Sequence, residues 1–260
     1  MTTSNPQSAL HFLNDAALPE VRSDRGPRAR ADSQTVLDAL DTTKEQAAIV
    51  GSEVISFAEG VPGAFRQDLV NGSLLAQLVA TKRVPDKTRI FDWYDAYFDA
   101  LANIGWSVQG RDFRIYVEAS QNFDSHKAII SALTAVGAGA TAVAMVVSTL
   151  EALQSMDEDS PWITLFAKES KGAEGASFQI TAVEKGPSGE PFVTLAAFSL
   201  QATFKLTQVL FFKVRASDVK LRSCSSKVTI NPDVANAVRQ PLREKLVGHA
   251  ADFIKALPDL

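Results

Sequence analysis

The strongest constraint on this chain is an uncharged stretch, residues 128–150. Its length falls within the range of about 17–25 residues that a membrane-spanning helix requires. Its alanine, glycine and hydroxyl side chains make it much less hydrophobic than a span of leucine and isoleucine. The glycines within 136–140 predict a turn. The stretch therefore predicts an antiparallel hairpin of two helices, 125–136 and 141–156.

This helical hairpin has two interpretations. Helices rich in small residues approach each other closely, so the pair can cover a sheet and form part of the core. Alternatively, the hairpin acts at a membrane or at an apolar partner. Each helix spans only about 18–24 Å, less than a hydrocarbon core of ~30 Å, which favours core packing. The residues available for a membrane or hydrophobic contact are Ile129, Ile130, Leu133, Val136, Gly137, Gly139, Val143, Val146 and Val147.

The second half of the chain has strand-like patterns joined by short turns. Short connections require antiparallel neighbours, so these segments predict an antiparallel meander. The apolar run 209–212 lacks alternation, which predicts a central strand covered on both faces. The predicted strands are 162–167, 178–183, 192–204, 207–215, 218–221 and 227–230.

The first half is predicted to be mostly helical. Apolar residues at intervals of three and four predict a helix from about Lys44 to Ala58, and 65–80 predicts short helices broken near Asn71 and Gly72. An aromatic stripe predicts a helix over 89–104, and 113–118 alternates like a strand. After it come the hairpin and the sheet, and Asn231 and Pro232 then begin a closing helix that Pro241 should kink or split.

These elements predict an α+β protein: N-terminal helices and a central helical hairpin packed on an antiparallel meander sheet, closed by a C-terminal helix. Residues 1–33 are predicted to be a flexible tail, since 18–33 contain four arginines and little apolar surface. Residues 34–260 form one predicted domain, with a helical part at 34–105, a strand and the hairpin at 106–157, the sheet at 161–230 and the last helix at 232–257.

Composition excludes several classes of function. A formal charge of −4 argues against a strongly basic nucleic-acid binder, so no nucleic-acid partner is expected. One cysteine excludes an intramolecular disulfide, and three histidines leave little material for a metal site. The common nucleotide, dinucleotide, hydrolase and metal motifs are absent, so no cofactor is predicted. The N-terminus has no signal-peptide pattern, which predicts a cytoplasmic protein or export without a cleaved signal.

Two groups of residues suggest chemistry. Asp92, Asp95 and Asp99 form a carboxylate row that suits a metal or acid–base hypothesis, although a solvated helix face is the favoured interpretation. Cys224 lies in a predicted turn between Arg222 and Lys227, whose charges would lower its pKa and make it nucleophilic. A cysteine beside basic residues also suits S-acylation. The simpler alternative is a small structural residue.

The segment DWYDAYFDALANIGW, followed downstream by VLFFK and a terminal helix, resembles a set of uncharacterised proteins from bacteria and fungi. The resemblance covers residues 90–257. It implies one cooperative domain, and it carries no activity, ligand or catalytic residue.

Three hypotheses for function follow. The first is a non-enzymatic binding protein, a virulence- or toxin-like accessory or a scaffold, whose partner is a membrane or a protein. The second is a carrier of an apolar or acyl ligand, attached at Cys224. The third is an enzyme with an unfamiliar site that uses the three aspartates or Cys224. The lack of a catalytic constellation favours a non-enzymatic role.

Overall fold

The chain folds around an eight-stranded, mostly antiparallel sheet with helices on both faces, which confirms the predicted α+β class. The computed structural model describes residues 5–20, 42–116, 121–172, 175–186, 189–203, 209–211 and 213–257. Within them the helices are α1 (Pro6–Asp15), α2 (Gly63–Arg83), α3 (Ile90–Asn103), α4 (Ser125–Ala135), α5 (Ala140–Ser155), α6 (Pro161–Ser170), α7 (Pro232–Leu246) and α8 (Ala250–Phe253).

The strands form one large sheet and one small one. The order in the large sheet is β10-β1-β2-β6-β7-β9-β3, with β4 also paired to β9, while β5 pairs with β8. The strands β6, β7 and β9 pair antiparallel as the meander predicts, whereas β2 and β6 pair in parallel. The strands are β1 (Gln46–Val50), β2 (Glu53–Phe57), β3 (Trp106–Val108), β4 (Arg114–Ile115), β5 (Asn122–Asp124), β6 (Gly175–Lys185), β7 (Pro191–Ala202), β8 (Lys213–Arg215), β9 (Val219–Ile230) and β10 (Ile254–Ala256).

Alternation along β2 shows which helices cover which face of the sheet. The Glu53 side chain bonds to Ser73 of α2 and Tyr97 of α3, so these helices cover one face. Three residues later, Ser56 bonds to Thr149 of α5 at 2.8 Å, so the helical hairpin covers the opposite face. The predicted hairpin, with a turn at its glycines, is confirmed as α4 and α5.

The prediction of a flexible tail is wrong for residues 6–15, because they form helix α1. Asn5 and Ser8 make a capping box, and Pro6 occupies the first turn, where its missing N–H costs nothing. Ala9 and Leu13, one helical turn apart, are buried in the core. Residues 21–33 of the predicted tail lie outside the described residues.

The helix predicted from Lys44 to Ala58 is wrong, because the segment forms the antiparallel pair β1 and β2. Gly51, with a φ of +55°, begins the two-residue turn between them, a conformation that glycine adopts without strain. Every residue of both strands is buried. Burial on both faces removes the alternation that identifies a strand in the sequence.

The predicted break near Asn71 and Gly72 is also wrong, since α2 runs without interruption from Gly63 to Arg83. Gly72 does not break the helix but makes room for a neighbouring side chain. A Cβ atom at this position would lie 2.6 Å from Cζ2 of Trp106, so the glycine lets the indole of β3 pack directly on the helix.

The fully buried Arg66 joins α2 to the segments beside β1 and β2. Its guanidinium donates hydrogen bonds to the carbonyl oxygens of Ala58 (2.7 Å), Lys44 (3.1 Å) and Val61 (3.1 Å). It also lies 5.2 Å from the centre of the Phe57 ring, within cation–π range.

Several strand predictions in the second half also need correction. Residues 162–167 belong to α6, which begins at Pro161. Its N-cap is Ser160, whose side-chain oxygen accepts a hydrogen bond from the N–H of Ile163. The two strands predicted at 218–221 and 227–230 are one continuous strand, β9. Within the apolar run 209–212, residues 209–211 form bends, with Val209 and Leu210 buried against the core, and 212 lies outside the described residues.

Two further predictions are corrected in part. The strand predicted over 113–118 is shortened to β4, and 117–120 lie outside the described residues. The closing helix is capped by Asn231 as predicted and continues through Pro241, but it ends at Leu246. The chain then forms α8 and β10, which pairs antiparallel with β1 instead of extending the helix to 257.

Candidate functional site

The helical hairpin begins directly after strand β5, and its turn is bonded to strand β6 of the large sheet. Asp124 caps α4 by accepting hydrogen bonds from the backbone N–H groups of His126 and Lys127. At the turn, Gly137 adopts a φ of +81°, and the N–H of Gly139 donates to Oε1 of Glu184 on β6 at 3.2 Å. These contacts place one long side of the hairpin on the core and leave the other side exposed.

The structure divides the predicted contact residues of the hairpin into two groups. Ile129, Leu133 and Val146 are buried against the sheet and belong to the core. The others reach the surface in part: Gly137 is exposed, and the half-buried residues are Ile130, Val136, Gly139, Val143 and Val147.

The exposed side of the hairpin is neutral and built from small side chains. At the turn, the Lys227 ammonium and the Glu184 carboxylate of the sheet adjoin Gly137 and Gly139. The charges of the hairpin stretch itself stand only at its two ends, on Lys127 and Glu151. We call this surface the neutral face, and it consists of Ser131, Thr134, Ala135, Gly137, Ala140, Thr141, Ala144 and Ser148. Because these side chains are small, a second helix can approach this face closely.

Among the residues that the structure describes, none of the helices combines the length and the hydropathy needed to cross a bilayer. The helices of the hairpin contain 11 and 16 residues. At 1.5 Å per residue they are shorter than a hydrocarbon core of about 30 Å.

Cys224 lies inside strand β9 and not in a turn. It is 4% exposed, and its Sγ donates to the carbonyl oxygen of Gly110 at 3.5 Å. Burial, together with the nearby Asp112 and against the opposing charge of Arg111, raises the pKa of the thiol from 9.0 to about 11. The predicted lowering of this pKa by Arg222 and Lys227 is therefore wrong, because desolvation opposes the thiolate.

We expect the Cys224 thiol of the folded protein to react with a disulfide reagent at least about a hundredfold more slowly than an exposed thiol. A pKa of about 11 in place of 9.0 leaves about a hundredfold less thiolate at neutral pH. The measurement is the rate of reaction with dithionitrobenzoate before and after unfolding. A Cys224→Ser, Ser131→Cys variant is the matched control, since it places the thiol on the neutral face. Equal rates for the two folded proteins would contradict this expectation.

An apolar gap lies beside the hairpin, between α4 and the ends of β6, β7 and β9. Its volume is about 10 Å³, and Phe178, Ile129 and Leu221 are among its walls. A gap of this size holds at most about one water molecule, so an acyl chain does not fit. Leu221 and Cys224 are three residues apart on β9, so their side chains lie on opposite faces of the sheet. The gap therefore offers no pocket for an acyl group at Cys224, and S-acylation there stays a prediction.

The row of aspartates on α3 is a solvated face. Asp92 pairs with Arg89 at 2.8 Å, Asp99 pairs with Arg111 at 2.9 Å, and all three aspartates are exposed. The other side of the helix buries Tyr94, Tyr97 and Phe98, among other residues. Within the described part of the chain, no group of three or more His, Cys, Asp or Glu side chains is placed to hold a metal ion.

A buried carboxyl group, Glu53, is the chemical feature that the sequence prediction missed. Its side chain is 1% exposed, and burial raises its pKa above the ordinary value of 4.5. Three hydroxyl groups donate to it and oppose this rise: Tyr97 to Oε2 at 3.0 Å, Thr181 to Oε1 at 2.6 Å, and Ser73 to Oε2. The clue in the sequence is a glutamate in an apolar strand, which the helical assignment of this segment hid.

Buried amides continue this network across the sheet. Gln77 of α2 accepts from the N–H of Ser52 at 3.0 Å and donates to the carbonyl of Val50 at 2.8 Å. Ser52 donates to Gln179 at 3.1 Å, and Gln179 donates to the hydroxyl of Tyr94 at 3.1 Å. The network therefore joins α2 and α3 to the sheet.

Comparison with known proteins gives little guidance. No protein-family model matches this chain, and no curated protein matches it. The chain is similar to a solved structure of the Evf virulence factor, at 13% identity and a TM-score of 0.34, over 82% of this chain and 88% of that chain. A likeness this weak carries no argument about function.

Proposed function

We propose that this protein acts by binding an apolar helix of a partner protein through the neutral face of its hairpin. The observation that supports the proposal is the absence of charge from every exposed residue between Lys127 and Glu151. Charged residues usually cover the solvent side of a surface helix, and the core of a protein interface is depleted in them.

The size of the side chains favours a protein over a membrane. A helix that lies in a bilayer surface presents large apolar residues such as tryptophan, phenylalanine and leucine, with basic residues opposite them. The neutral face instead presents alanine, glycine, serine and threonine. The half-buried Val143 and Val147 adjoin this face on α5 and supply apolar area at its margin. Small residues bordered by valines suit a helix that packs at close range.

The test begins with a small diazirine side chain in place of Ala144, which crosslinks the partner in the cell. The partner identified by this crosslink is then purified on its own, and its affinity for the unmodified chain is measured by calorimetry. We expect Ala144→Lys to weaken binding at least about tenfold, because it buries an unpaired charge in the interface. Ser155→Lys is the matched control, since Ser155 is an exposed residue of the same helix outside the uncharged stretch.

The outcomes separate a protein partner from a membrane. Equal affinities of Ala144→Lys and the wild type for the purified partner would refute the proposal. A flotation assay with phosphatidylcholine vesicles, with or without phosphatidylglycerol, tests for a membrane. Binding of the wild type to these vesicles that Ala144→Lys abolishes would also refute the proposal. Exposed substitutions should change the free energy of unfolding by no more than about 0.5 kcal/mol, so thermal unfolding confirms that the variants are folded.

A further inference from the structure

A surface recess that shares no residue with the neutral face lies where three segments of the chain meet. They are residues 19–20 after α1, one side of α6, and the segment from His249 into α8. The recess has a volume of about 380 Å³. That volume is near the lower end of the range for ligand pockets, about 300–1,000 Å³. It suits one long side chain and the adjacent residue of a bound peptide.

The charge of this recess is predominantly negative. Among the described residues, Glu20, Asp159 and Asp252 line it, together with one lysine, Lys168. The Lys168 ammonium lies 2.9 Å from the carboxylate of Glu169 and 5.7 Å from the centre of the Phe253 ring. Its charge is thus already partly balanced by a carboxylate that does not line the recess, and the lining carboxylates of Glu20 and Asp159 attract a cation.

His249 is a buried polar side chain that lines this recess. It is 6% exposed, and within the described part of the chain its imidazole forms no hydrogen bond. Its ring nitrogens are not among the fully buried polar atoms that lack a partner, so water in the recess reaches them, and an N–H group of a ligand can take the place of that water. Burial lowers the pKa of His249 below its ordinary value of 6.5, so the ring is neutral at physiological pH and keeps a nitrogen that accepts a hydrogen bond.

The apolar part of the recess is formed by Leu165 of α6 and by Pro19 and Phe253. An apolar floor with carboxylates around it matches a side chain that has an aliphatic stem and a cationic end.

We propose that this recess binds an arginine or lysine side chain on a peptide segment of a partner protein. The stem of that side chain packs on Leu165 and Phe253, its cationic end faces Glu20 and Asp159, and one of its N–H groups donates to His249. This site does not depend on the neutral face.

The test uses phenylalanyl-arginine amide as the probe and phenylalanyl-citrulline amide as its uncharged counterpart. Calorimetry gives the affinities, and the ring-proton resonance of His249, assigned among three histidines by substitution, reports the place of binding. We expect the arginine probe to bind at least about tenfold more tightly than the citrulline probe and to shift the His249 resonance.

Three variants locate the interaction. Asp159→Asn should weaken binding of the arginine probe by about fivefold, the effect of one partly exposed charge. Asp157→Asn is the matched control: it is exposed, two residues away and outside the recess, and should leave the affinity unchanged. His249→Leu should weaken binding by about fivefold, because it removes one hydrogen bond. Equal affinities for the two probes, equal effects of the two aspartate substitutions, or an unmoved His249 resonance at saturation would each overturn the proposal.

Discussion

Replacing Arg66 by alanine should lower the free energy of unfolding by about 4 kcal/mol and Tm by about 10 °C. The substitution removes the donor to the carbonyl oxygens of Lys44, Ala58 and Val61. It also leaves a cavity, because the Arg66 side chain is among the largest that are fully buried in the described residues. Denaturant unfolding followed by circular dichroism measures the loss.

Arg83→Ala is the control for this experiment. Arg83 is an exposed residue of the same helix, and its guanidinium lies 5.8 Å from the centre of the Phe12 ring. An exposed cation–π contact contributes about 0.5–1 kcal/mol, so the control should lose no more than that. Equal losses for the two variants would show that the three buried hydrogen bonds contribute nothing measurable.

Glu53→Gln should remove a pH dependence of stability that the wild type has above pH 4.5. Because burial raises the pKa of Glu53 in the folded state, the unfolded chain releases its proton at a lower pH than the folded protein. The carboxyl group therefore stabilises the fold fully below pH 4.5, and stability is lost as the pH rises through the folded pKa. Between the two pKa values the wild type should lose up to about 1.4 kcal/mol per pH unit relative to the variant.

The glutamine amide imitates the protonated acid, since it keeps one oxygen that accepts from Tyr97 or Thr181 and gains N–H donors. The measurement is the free energy of unfolding of both proteins at several pH values from 4 to 8. Glu59→Gln serves as the control, because Glu59 is an exposed residue two positions after β2. Other groups titrate equally in all three proteins, so the difference isolates Glu53. Parallel pH profiles for Glu53→Gln and the wild type would contradict the raised pKa.

The helical hairpin was predictable because its signals are local. An uncharged stretch with glycines at its centre specifies two short helices and a turn without reference to the rest of the chain. The pair β1 and β2 was not predictable in this way. All ten of its residues are buried, so the burial pattern has neither the period of a strand nor that of an amphipathic helix. Its two long edges are paired to distant strands, β10 and β6, which no local window contains.

The chemistry of the interior depends even more on distant contacts. Glu53 meets Ser73, Tyr97 and Thr181, which come from two helices and a strand. The recess beside His249 likewise needs α6 and residues 19–20. By contrast, the carboxylate row on α3 and its solvated character follow from the spacing within one helix. Sequence patterns therefore predicted which side chains face solvent on one element, and they failed where a site is assembled from several.

The pairing of β1 with β10 affects how the protein is made. Strands β1 and β2 are synthesised early, but their neighbours in the sheet are synthesised later. The free edge of β2 pairs with β6, and the free edge of β1 pairs with β10. Until residue 256 has been synthesised, the backbone donors and acceptors along the outer edge of β1 have no strand beside them, and they are open to a neighbouring nascent chain. We therefore expect a chaperone that shields unpaired strand edges to raise the yield of the folded protein.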